Sequence, residues 1–237
     1  MIIAFEGLDA SGKNTQTTLL TRRLAEHGHA AGAMSFPRYG ETVFSRTIEQ
    51  YLNGLLGPRD ALDPRLVSLL FAGDRVESRD RLLDLARTHD VLVVDRYVAS
   101  NLAYQGARVS PQERGAFLDW LLAVEHDAYR LPRPTVTVLL DVPAPLAASM
   151  VLRKGRRTYT EHAADINERD VAYLGACRDV YLELARRHLG GPWAVVDCVG
   201  GDGQLRPAER IADDVWAALG PLLGAPPARP STVEPAP

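Results

Sequence analysis

Cysteine, lysine and long apolar runs are the scarcest features of this 237-residue sequence. Its two cysteines, Cys177 and Cys198, are too few for a disulfide framework and are typical of a reducing compartment, so a cytoplasmic location is expected. No apolar run approaches 18 residues, which argues against a membrane span and a membrane partner. Residues 2–5 form a strand-like run without a preceding basic segment, so no secretory signal is predicted. The formal net charge of −3 lacks the basic excess of nucleic-acid-binding domains, and no nucleic-acid partner is expected.

Lysine is rare: it supplies only two of the 27 basic residues, Lys13 and Lys154, and arginine supplies the rest. One of the two ends the string Gly7-Leu8-Asp9-Ala10-Ser11-Gly12-Lys13, a G-x-x-x-x-G-K pattern. In a chain of this composition the pattern arises by chance in roughly one sequence in eighty. Its presence therefore favours a phosphate-binding loop.

Short apolar runs alternate with longer amphipathic stretches, which is typical of an α/β protein with a parallel sheet. Five strands are predicted, at residues 2–6, about 29–35, 91–95, 135–141 and 193–199. Helices are predicted at 13–28 and at about 41–55, 64–89, 98–108, 111–129, 143–153, 166–189 and 207–219. Residues 1–220 are predicted to form one domain, and the proline-rich tail at 221–237 is predicted to be disordered.

The glycine string lies between the first predicted strand and helix, where backbone N–H groups can converge on phosphate oxygens. Lys13 would then reach the β- and γ-phosphates of ATP as a point charge. The alternative is a plain glycine-rich turn with a surface lysine. The usual Ser or Thr after the lysine is replaced by Asn14, so the usual hydroxyl ligand for Mg²⁺ is missing. The predicted ATP-binding residues are Gly7, Leu8, Asp9, Ala10, Ser11, Gly12, Lys13, Asn14 and Thr15.

A second polar group follows the third predicted strand, at Asp95 and Arg96. In an open α/β sheet, ligands bind beyond the carboxyl ends of the strands. Asp95 can hold Mg²⁺ or its waters there, and Arg96 can bind a phosphate group other than those in the glycine loop through two hydrogen bonds. On the helix that follows, Ser100, Asn101 and Tyr104 share one face by their spacing. The alternative is an ion pair that caps the strand, followed by a solvated polar helix face.

The string Asp-Arg-Tyr-Val-Ala-Ser-Asn-Leu-Ala-Tyr-Gln-Gly at 95–106 resembles the signature of thymidylate kinases. The resemblance includes the glycine loop with its acid at Asp9, Phe36-Pro37-Arg38-Tyr39 and Phe71-Ala72-Gly73-Asp74-Arg75, and it covers about residues 1–200. It is greatest to the actinobacterial branch, which also lacks the hydroxyl residue after the lysine. The resemblance implies a P-loop kinase fold, ATP and dTMP as substrates, Mg²⁺ as cofactor, and a cytoplasmic homodimer.

The resemblance also implies how the nucleoside is held. Phe71 would stack on thymine, and Arg75, one helical turn later, would hydrogen-bond the O4 edge. The amide of Asn101 matches the N3–H and carbonyl pattern of thymine. Tyr104 would lie against the sugar and disfavour a ribose 2′-hydroxyl. The alternative for Phe71 is a core aromatic.

For the phosphates and the metal, the resemblance implies a further set of contacts. Asp9 would contact the 3′ side of the sugar or the magnesium shell. The acceptor phosphate would be held by Arg38, Tyr39 and Arg96. The predicted substrate-binding residues are Asp9, Phe36, Arg38, Tyr39, Phe71, Arg75, Arg96, Ser100, Asn101 and Tyr104, and the predicted metal ligands are Asp9, Asp95 and Glu168.

Residues 153–164 are polar, basic and aperiodic, and they are predicted to form a mobile lid. Arginines in such a lid can neutralise the charge that develops in phosphoryl transfer, while closure excludes water. The alternative is a solvated charged face. The string Asp165-Ile166-Asn167-Glu168 resembles the family's Asp-Arg-x-Glu pattern, but Ile166 replaces the arginine, which leaves open which lid arginine acts. The predicted catalytic residues are Lys13, Arg96, Arg153, Arg156 and Arg157.

Together, the motifs and the resemblance predict a thymidylate kinase that converts ATP and dTMP into ADP and dTDP. Because the attacking phosphate oxygen is already anionic at neutral pH, no general base is required, and positioning with charge neutralisation suffices. The first alternative is a deoxynucleoside kinase, which would want a carboxylate base such as Glu6 beside a neutral hydroxyl. The second is a nucleotide-dependent switch protein, which the absence of an N-K-x-D guanine-binding string disfavours.

Overall fold

The computed structural model describes residues 1–154 and 170–224, which form a parallel sheet flanked by helices. The strands are β1 (Ile2–Glu6), β2 (Ala31–Ser35), β3 (Val91–Asp95), β4 (Val136–Asp141) and β5 (Trp193–Asp197). The helices are α1 (Lys13–Glu26), α2 (Val43–Leu52), α3 (Pro64–Glu77), α4 (Arg79–Thr88), α5 (Val98–Gly106), α6 (Pro111–Leu122), α7 (Ala144–Lys154), α8 (Val171–Arg186) and α9 (Ala208–Leu219). A 3₁₀ turn spans Arg59–Ala61, and a π-helical turn spans Ala123–Ala128.

The strands lie in the order β2-β3-β1-β4-β5, and each neighbouring pair is parallel. β1 and β3 are inner strands, and their near-continuous apolar runs are buried, as expected for strands covered on both faces. The register pairs Phe5 with Asp95. The loops that follow β1 and β3 therefore begin side by side at one edge of the sheet. The predicted α/β fold with a five-stranded parallel sheet is confirmed.

Local side-chain chemistry explains where two of the helices near this edge begin. Before α2, the Thr42 hydroxyl accepts the backbone N–H of Ser45 at 2.9 Å, and the Ser45 hydroxyl accepts the backbone N–H of Thr42 in return at 3.3 Å. Before α3, a carboxylate oxygen of Asp63 accepts the N–H of Arg65 at 2.6 Å, and Pro64 occupies the first helical position. These caps set the start of the helix pair that carries part of the site.

The single helix predicted at 64–89 is wrong, because the structure divides it into α3 and α4 at Ser78. Ser78 has φ −94° and ψ 2°, outside helical geometry, so the chain changes direction there. The two halves pack against different partners: α3 lies against α2 and α5, whereas α4 lies against β2 and β3. A straight helix cannot serve both surfaces, so tertiary packing overrides the continuous helical pattern.

The helix predicted at 111–129 also differs from the structure. Its α-helical part, α6, ends at Leu122, and the remainder adopts the π-helical turn. The wider π-helix occurs mostly as single turns within α-helices, and such turns are frequent at functional sites. Here the turn directs Glu125 and His126 inward, and both are buried.

Several predictions fall at the limits of the described residues. The first two residues of the predicted lid, Arg153 and Lys154, belong to the end of α7, and 155–169 lie outside the described residues. In the predicted tail, residues 221–224 are described and 225–237 are not. Among the described helices, none is long and apolar enough to cross a membrane.

Candidate active site

The glycine loop between β1 and α1 has the geometry of an anion cradle. Gly7 has φ +143°, and a Cβ there would lie 2.6 Å from the carbonyl oxygen of Leu140, so a larger residue would not fit. Gly12, at φ +94°, caps α1, whose first turn contains no acidic side chain to oppose the positive end of its dipole. The buried hydroxyl of Ser11 has no hydrogen-bond partner in the part of the chain that the structure describes. The loop thus offers a phosphate a helix N-terminus and an unused hydroxyl donor.

Lys13 lies over this loop. Its ammonium group donates to the carbonyl oxygens of Gly7 at 3.1 Å and Leu8 at 2.7 Å. Burial and the positive charge of Arg96 together lower the pKa of Lys13 to about 8, although Asp9 and other neighbouring carboxylates oppose the shift. A bound polyphosphate would add negative charge and hold Lys13 in its protonated form.

Arg96 joins the loops that follow β1 and β3. Its guanidinium donates to Asp9 at 2.6 Å and to the Ser100 hydroxyl at 3.2 Å, and it lies 5.5 Å from the ring centroid of Tyr104. Its backbone has φ +62°, which is sterically unfavourable for a residue with a Cβ. Burial disfavours the charge on Arg96, but Asp9 and Tyr104 outweigh it and raise the pKa well above the ordinary value. Arg96 is thus a fixed cation at the mouth of the loop.

Glu6 holds the loop of Arg96 in place from the end of β1. Its carboxylate is fully buried and accepts four hydrogen bonds: the backbone N–H of Tyr97 at 2.7 Å, the N–H of Ser100 at 3.1 Å, the Ser100 hydroxyl at 2.6 Å and the Tyr181 hydroxyl at 2.9 Å. Two of these donors, the backbone N–H groups, lie at the N-terminus of α5, so Glu6 at the end of β1 caps that helix. Burial raises the pKa of Glu6, while the hydrogen bonds and Arg96 oppose the shift.

A second group of buried polar residues lies between α3 and α5, next to the first. The guanidinium of Arg75 makes a bidentate ion pair with Glu125, with Nε 2.8 Å from one carboxylate oxygen. The amide nitrogen of Asn101 donates to Glu125 at 2.9 Å and to the Ser68 carbonyl at 3.0 Å. The amide oxygen of Asn101 is buried and has no partner among the described residues. Glu125 therefore brings the predicted residues Arg75 and Asn101 together, and the amide oxygen of Asn101 remains able to accept a hydrogen bond.

Glu125 was not among the predicted site residues. Its sequence signal is a charge on an apolar helical face, since it follows the buried Leu118 and Leu121 at helical spacing. A charged group at such a position needs a buried counter-ion, and that requirement could have led to Arg75. What the sequence does not show is which buried cation the π-helical turn brings to Glu125.

The segment around Arg38 is tied to the same helix as Arg75. A carboxylate oxygen of Asp74 accepts the Arg38 backbone N–H at 3.0 Å, and the other accepts the Thr42 hydroxyl at 2.5 Å. The guanidinium of Arg38 bonds Glu41. Burial lowers the pKa of Arg38, and Arg81 adds to the effect. The predicted phosphate contact of Arg38 stays a prediction.

Three of the four predicted aromatic residues of the substrate site differ in exposure. Phe36 is buried in the main core with its ring 6.1 Å from that of Tyr97. Phe71 and Tyr39 are partly buried beside the small cluster around Tyr51, and the rings of Phe71 and Tyr51 meet edge to face at 6.2 Å. Phe71 thus has the remaining exposure that stacking on a base requires, whereas Phe36 is placed to support the core.

Tyr104 connects the two polar groups. Its hydroxyl donates to Asp9 at 2.8 Å, and its backbone carbonyl accepts the Tyr173 hydroxyl at 2.6 Å. Its ring packs edge to face with those of Tyr173 and Tyr181. Asn101 lies on the same helix, one turn earlier. α5 therefore presents one residue to each end of the site.

Two of the three predicted metal ligands are described. Asp9 bonds Arg96 and Tyr104, and Asp95 is partly exposed at the end of β3 and close enough to raise the pKa values of Lys13 and Arg96. Residues 1–154 and 170–224 contain no group of three or more potential metal-binding side chains. Two carboxylates nevertheless fit Mg²⁺, which binds proteins through one or two such groups and keeps waters and substrate phosphates.

No contact in the described structure tests the remaining predicted residues. Asn14 and Thr15 are exposed on the first turn of α1. Arg153 lies at the end of α7, where the structure describes the backbone only, and Arg156, Arg157 and Glu168 lie outside the described residues. The lid and its third metal ligand therefore stay predictions.

Comparison with known proteins gives one consistent result. The family model described as Thymidylate kinase matches residues 5–198. The thymidylate kinase of Mycobacterium tuberculosis is 35% identical over 205 residues, which cover 86% of this chain and 95% of that protein. The thymidylate kinase of Thermomicrobium roseum is 34% identical over 218 residues, covering 92% and 93%. The solved structure of the Candida albicans thymidylate kinase has the same fold, with a TM-score of 0.67 at 22% identity over 93% of this chain and 91% of that one.

Proposed function

Because the chain belongs to the thymidylate kinase family, we propose that it transfers the γ-phosphoryl group of ATP to the phosphate of dTMP and releases ADP and dTDP. The observation that carries the choice of acceptor is the amide oxygen of Asn101, which is buried near Arg75 and has no hydrogen-bond partner among the described residues. An oxygen in that position accepts a hydrogen bond, and the N3–H of thymine supplies one.

On the donor side, the glycine loop would hold the phosphates of ATP. The N-terminus of α1 and the Ser11 hydroxyl can donate hydrogen bonds to an anion, and Lys13 supplies a positive charge beside them. Asp9 and Asp95 would hold Mg²⁺, which would supply positive charge to offset that of the transferred group. Lys13 would stay protonated while negative charge moves from the γ-phosphate to the leaving ADP.

On the acceptor side, Arg96 would bind the phosphate of dTMP. Its guanidinium is fixed by Asp9 and Ser100, so little conformational freedom is lost when the phosphate binds. The attacking oxygen of a phosphate monoester is already anionic, and no side chain has to remove a proton. The rate enhancement then comes from alignment and from neutralising charge with Lys13, Arg96 and the lid arginines.

The deoxynucleoside kinase alternative is not favoured. It would use Glu6 as a base, but all four donors around Glu6 are protein groups and the carboxylate is fully buried. A base must reach the proton that it removes, directly or through one water. Glu6 instead acts on the position of Arg96.

Coupled measurement of ADP release with four acceptor conditions tests the proposal: dTMP, dUMP, thymidine, and none. We expect turnover with dTMP, weaker turnover with dUMP because one methyl group in an apolar pocket discriminates by about 10–200-fold, and background rates otherwise. Turnover with thymidine would support the nucleoside kinase instead. ADP release that ignores the acceptor would support a switch protein.

The family also leads us to propose a cytoplasmic homodimer. The assembly state can be measured by light scattering of the purified chain, with a mass near twice 25.9 kDa as the expected result. A mass that stays at 25.9 kDa at assay concentration would contradict it.

A further inference from the structure

We propose that Glu125 is a positioning residue that sets the base selectivity of the pocket by fixing the orientation of the Asn101 amide. The inference rests on the proposed function, since it concerns which pyrimidine monophosphate the same site accepts. The pocket would then distinguish thymine and uracil, which carry N3–H and O4, from cytosine, which carries an unprotonated N3 and an amino group.

Glu125 is the common acceptor for the two residues expected to contact the base. It is completely buried, and one oxygen accepts both the amide nitrogen of Asn101 at 2.9 Å and the guanidinium of Arg75. The other oxygen accepts Nε of Arg75 at 2.8 Å. A single carboxylate thus fixes both side chains, one on α3 and one on α5.

The neighbours of Asn101 allow one amide orientation. Its nitrogen lies within hydrogen-bond distance of the Glu125 carboxylate and, at 3.0 Å, of the Ser68 carbonyl oxygen. If the amide turned over, its oxygen would face these two acceptors, two hydrogen bonds would be lost, and repulsion would replace them. The oxygen is therefore the atom left over, and it is buried without a partner within the described residues.

This orientation makes the pocket selective. The Asn101 oxygen can only accept, and Arg75 can only donate, so together they match N3–H and O4. Cytosine would place an acceptor against the acceptor and an amino donor against the donor. A site built to hydrogen-bond a group strongly rejects the analogue that lacks it, because its buried polar atoms then remain unpaired.

The backbone fixes Glu125 as well. The residue lies in the π-helical turn, and its carbonyl oxygen accepts the N–H of Leu131 at 3.0 Å. The adjacent His126 bonds the carbonyl of Leu131 through its ring at 2.9 Å. The turn is therefore closed on itself by two bonds, and Glu125 projects from a fixed backbone.

The test compares kcat/KM for dUMP and dCMP, which differ only at this edge of the base. In Glu125→Gln, the new amide can donate to the Asn101 oxygen, and of the two acceptors that hold the parent orientation the Ser68 carbonyl alone remains, so that Asn101 can present its nitrogen to the base. We expect the dUMP-to-dCMP ratio to fall at least about tenfold. Glu113→Gln, an exposed Glu-to-Gln change on α6, is the matched control and should leave the ratio unchanged.

Glu125→Gln also leaves Arg75 buried without a counter-ion, so the variant can fail to fold. Glu125→Asp keeps the charge but shortens the side chain, which releases Asn101 while Arg75 stays paired. Introduced into the parent protein, Glu125→Asp should lower the dUMP-to-dCMP ratio. Introduced into Asn101→Ala, it should lower the ratio no further, because Glu125 acts through the Asn101 amide. Thermal melting of each variant confirms that the assays report folded protein.

A purely structural role would lower kcat/KM for both nucleotides by the same factor and leave the ratio intact. A ratio within threefold of the parent value in a folded Glu125 variant would overturn the proposal, as would a further fall in the Asn101→Ala background. Failure of the proposed function looks different, because the unaltered protein would then turn over neither dTMP nor dUMP.

Discussion

Glu6→Gln is the mildest change that removes charge from the network behind Arg96. The amide oxygen of Gln still accepts the N–H groups of Tyr97 and Ser100, and its NH₂ group meets the hydroxyls of Ser100 and Tyr181, which can turn to accept. Each of the four bonds loses charge assistance of about 0.5–1 kcal/mol, partly offset because a neutral group is easier to bury. We expect the free energy of unfolding to fall by about 1–2 kcal/mol.

Glu6→Ala removes the acceptor altogether. The backbone N–H of Tyr97 is then buried without its partner, and the Ser100 and Tyr181 hydroxyls, 3.1 Å apart, can satisfy each other only in part. With about 1–3 kcal/mol for each unsatisfied group, the loss should reach about 3–5 kcal/mol. Without its anchor, the strained loop of Arg96 should relax, and kcat should fall by about 100-fold, the effect of losing one preorganised charge partner.

Urea unfolding gives the free energies, and coupled ADP release with dTMP gives kcat, with the exposed Glu26→Gln on α1 as control. Because no proton passes through Glu6 in the proposed reaction, kcat of Glu6→Gln should stay within about fivefold of the parent, far less than the loss of a general base. A folded Glu6→Gln protein that loses 100-fold in kcat would identify Glu6 as a base. Equal destabilisation by Gln and Ala would show that the four hydrogen bonds do not hold the loop.

Three further predictions concern the donor site, the sugar and the metal. Lys13→Ala should lower kcat at least about 100-fold with little change in dTMP affinity. Because the pKa of Lys13 is about 8, the affinity of the parent protein for ATP, measured by titration calorimetry, should weaken as the pH rises through this value and the lysine loses its proton. Tyr104→Ala should lower the ratio of kcat/KM for dTMP to kcat/KM for the corresponding ribonucleotide. An unchanged ratio would show that Tyr104 does not discriminate against the ribose 2′-hydroxyl. In Mg²⁺ titrations of activity, Asn14→Ala should need at most severalfold more metal, whereas Asp9→Ala and Asp95→Ala should need far more; the reverse order would place the metal on the Asn14 amide.

The sheet and the glycine loop were predictable because each depends on local chemistry. The buried run of β3 ends at Asp95 in both prediction and structure, since a continuous apolar run bounded by charge leaves little freedom for its position. The loop was recognised from its glycines, and Gly7 shows why: its φ of +143° and the nearby Leu140 carbonyl exclude a side chain.

The features that were not predicted depend on contacts distant in the chain. The break at Ser78 follows from two packing surfaces that the helical pattern does not describe. Glu125 was missed because its partners, Arg75 and Asn101, are 50 and 24 residues away in sequence. Glu6 was considered only as a base, because its four donors come from segments that meet it only in the folded chain.

Product analysis with purified protein, ATP, Mg²⁺ and dTMP tests the central claim most directly. The proposed reaction predicts that dTDP and ADP appear in equal amounts, as resolved by anion-exchange chromatography, and that label from the γ-phosphate of ATP is recovered on the β-phosphate of dTDP. Formation of dTMP from thymidine instead, or release of inorganic phosphate from ATP without any dTDP, would contradict the account.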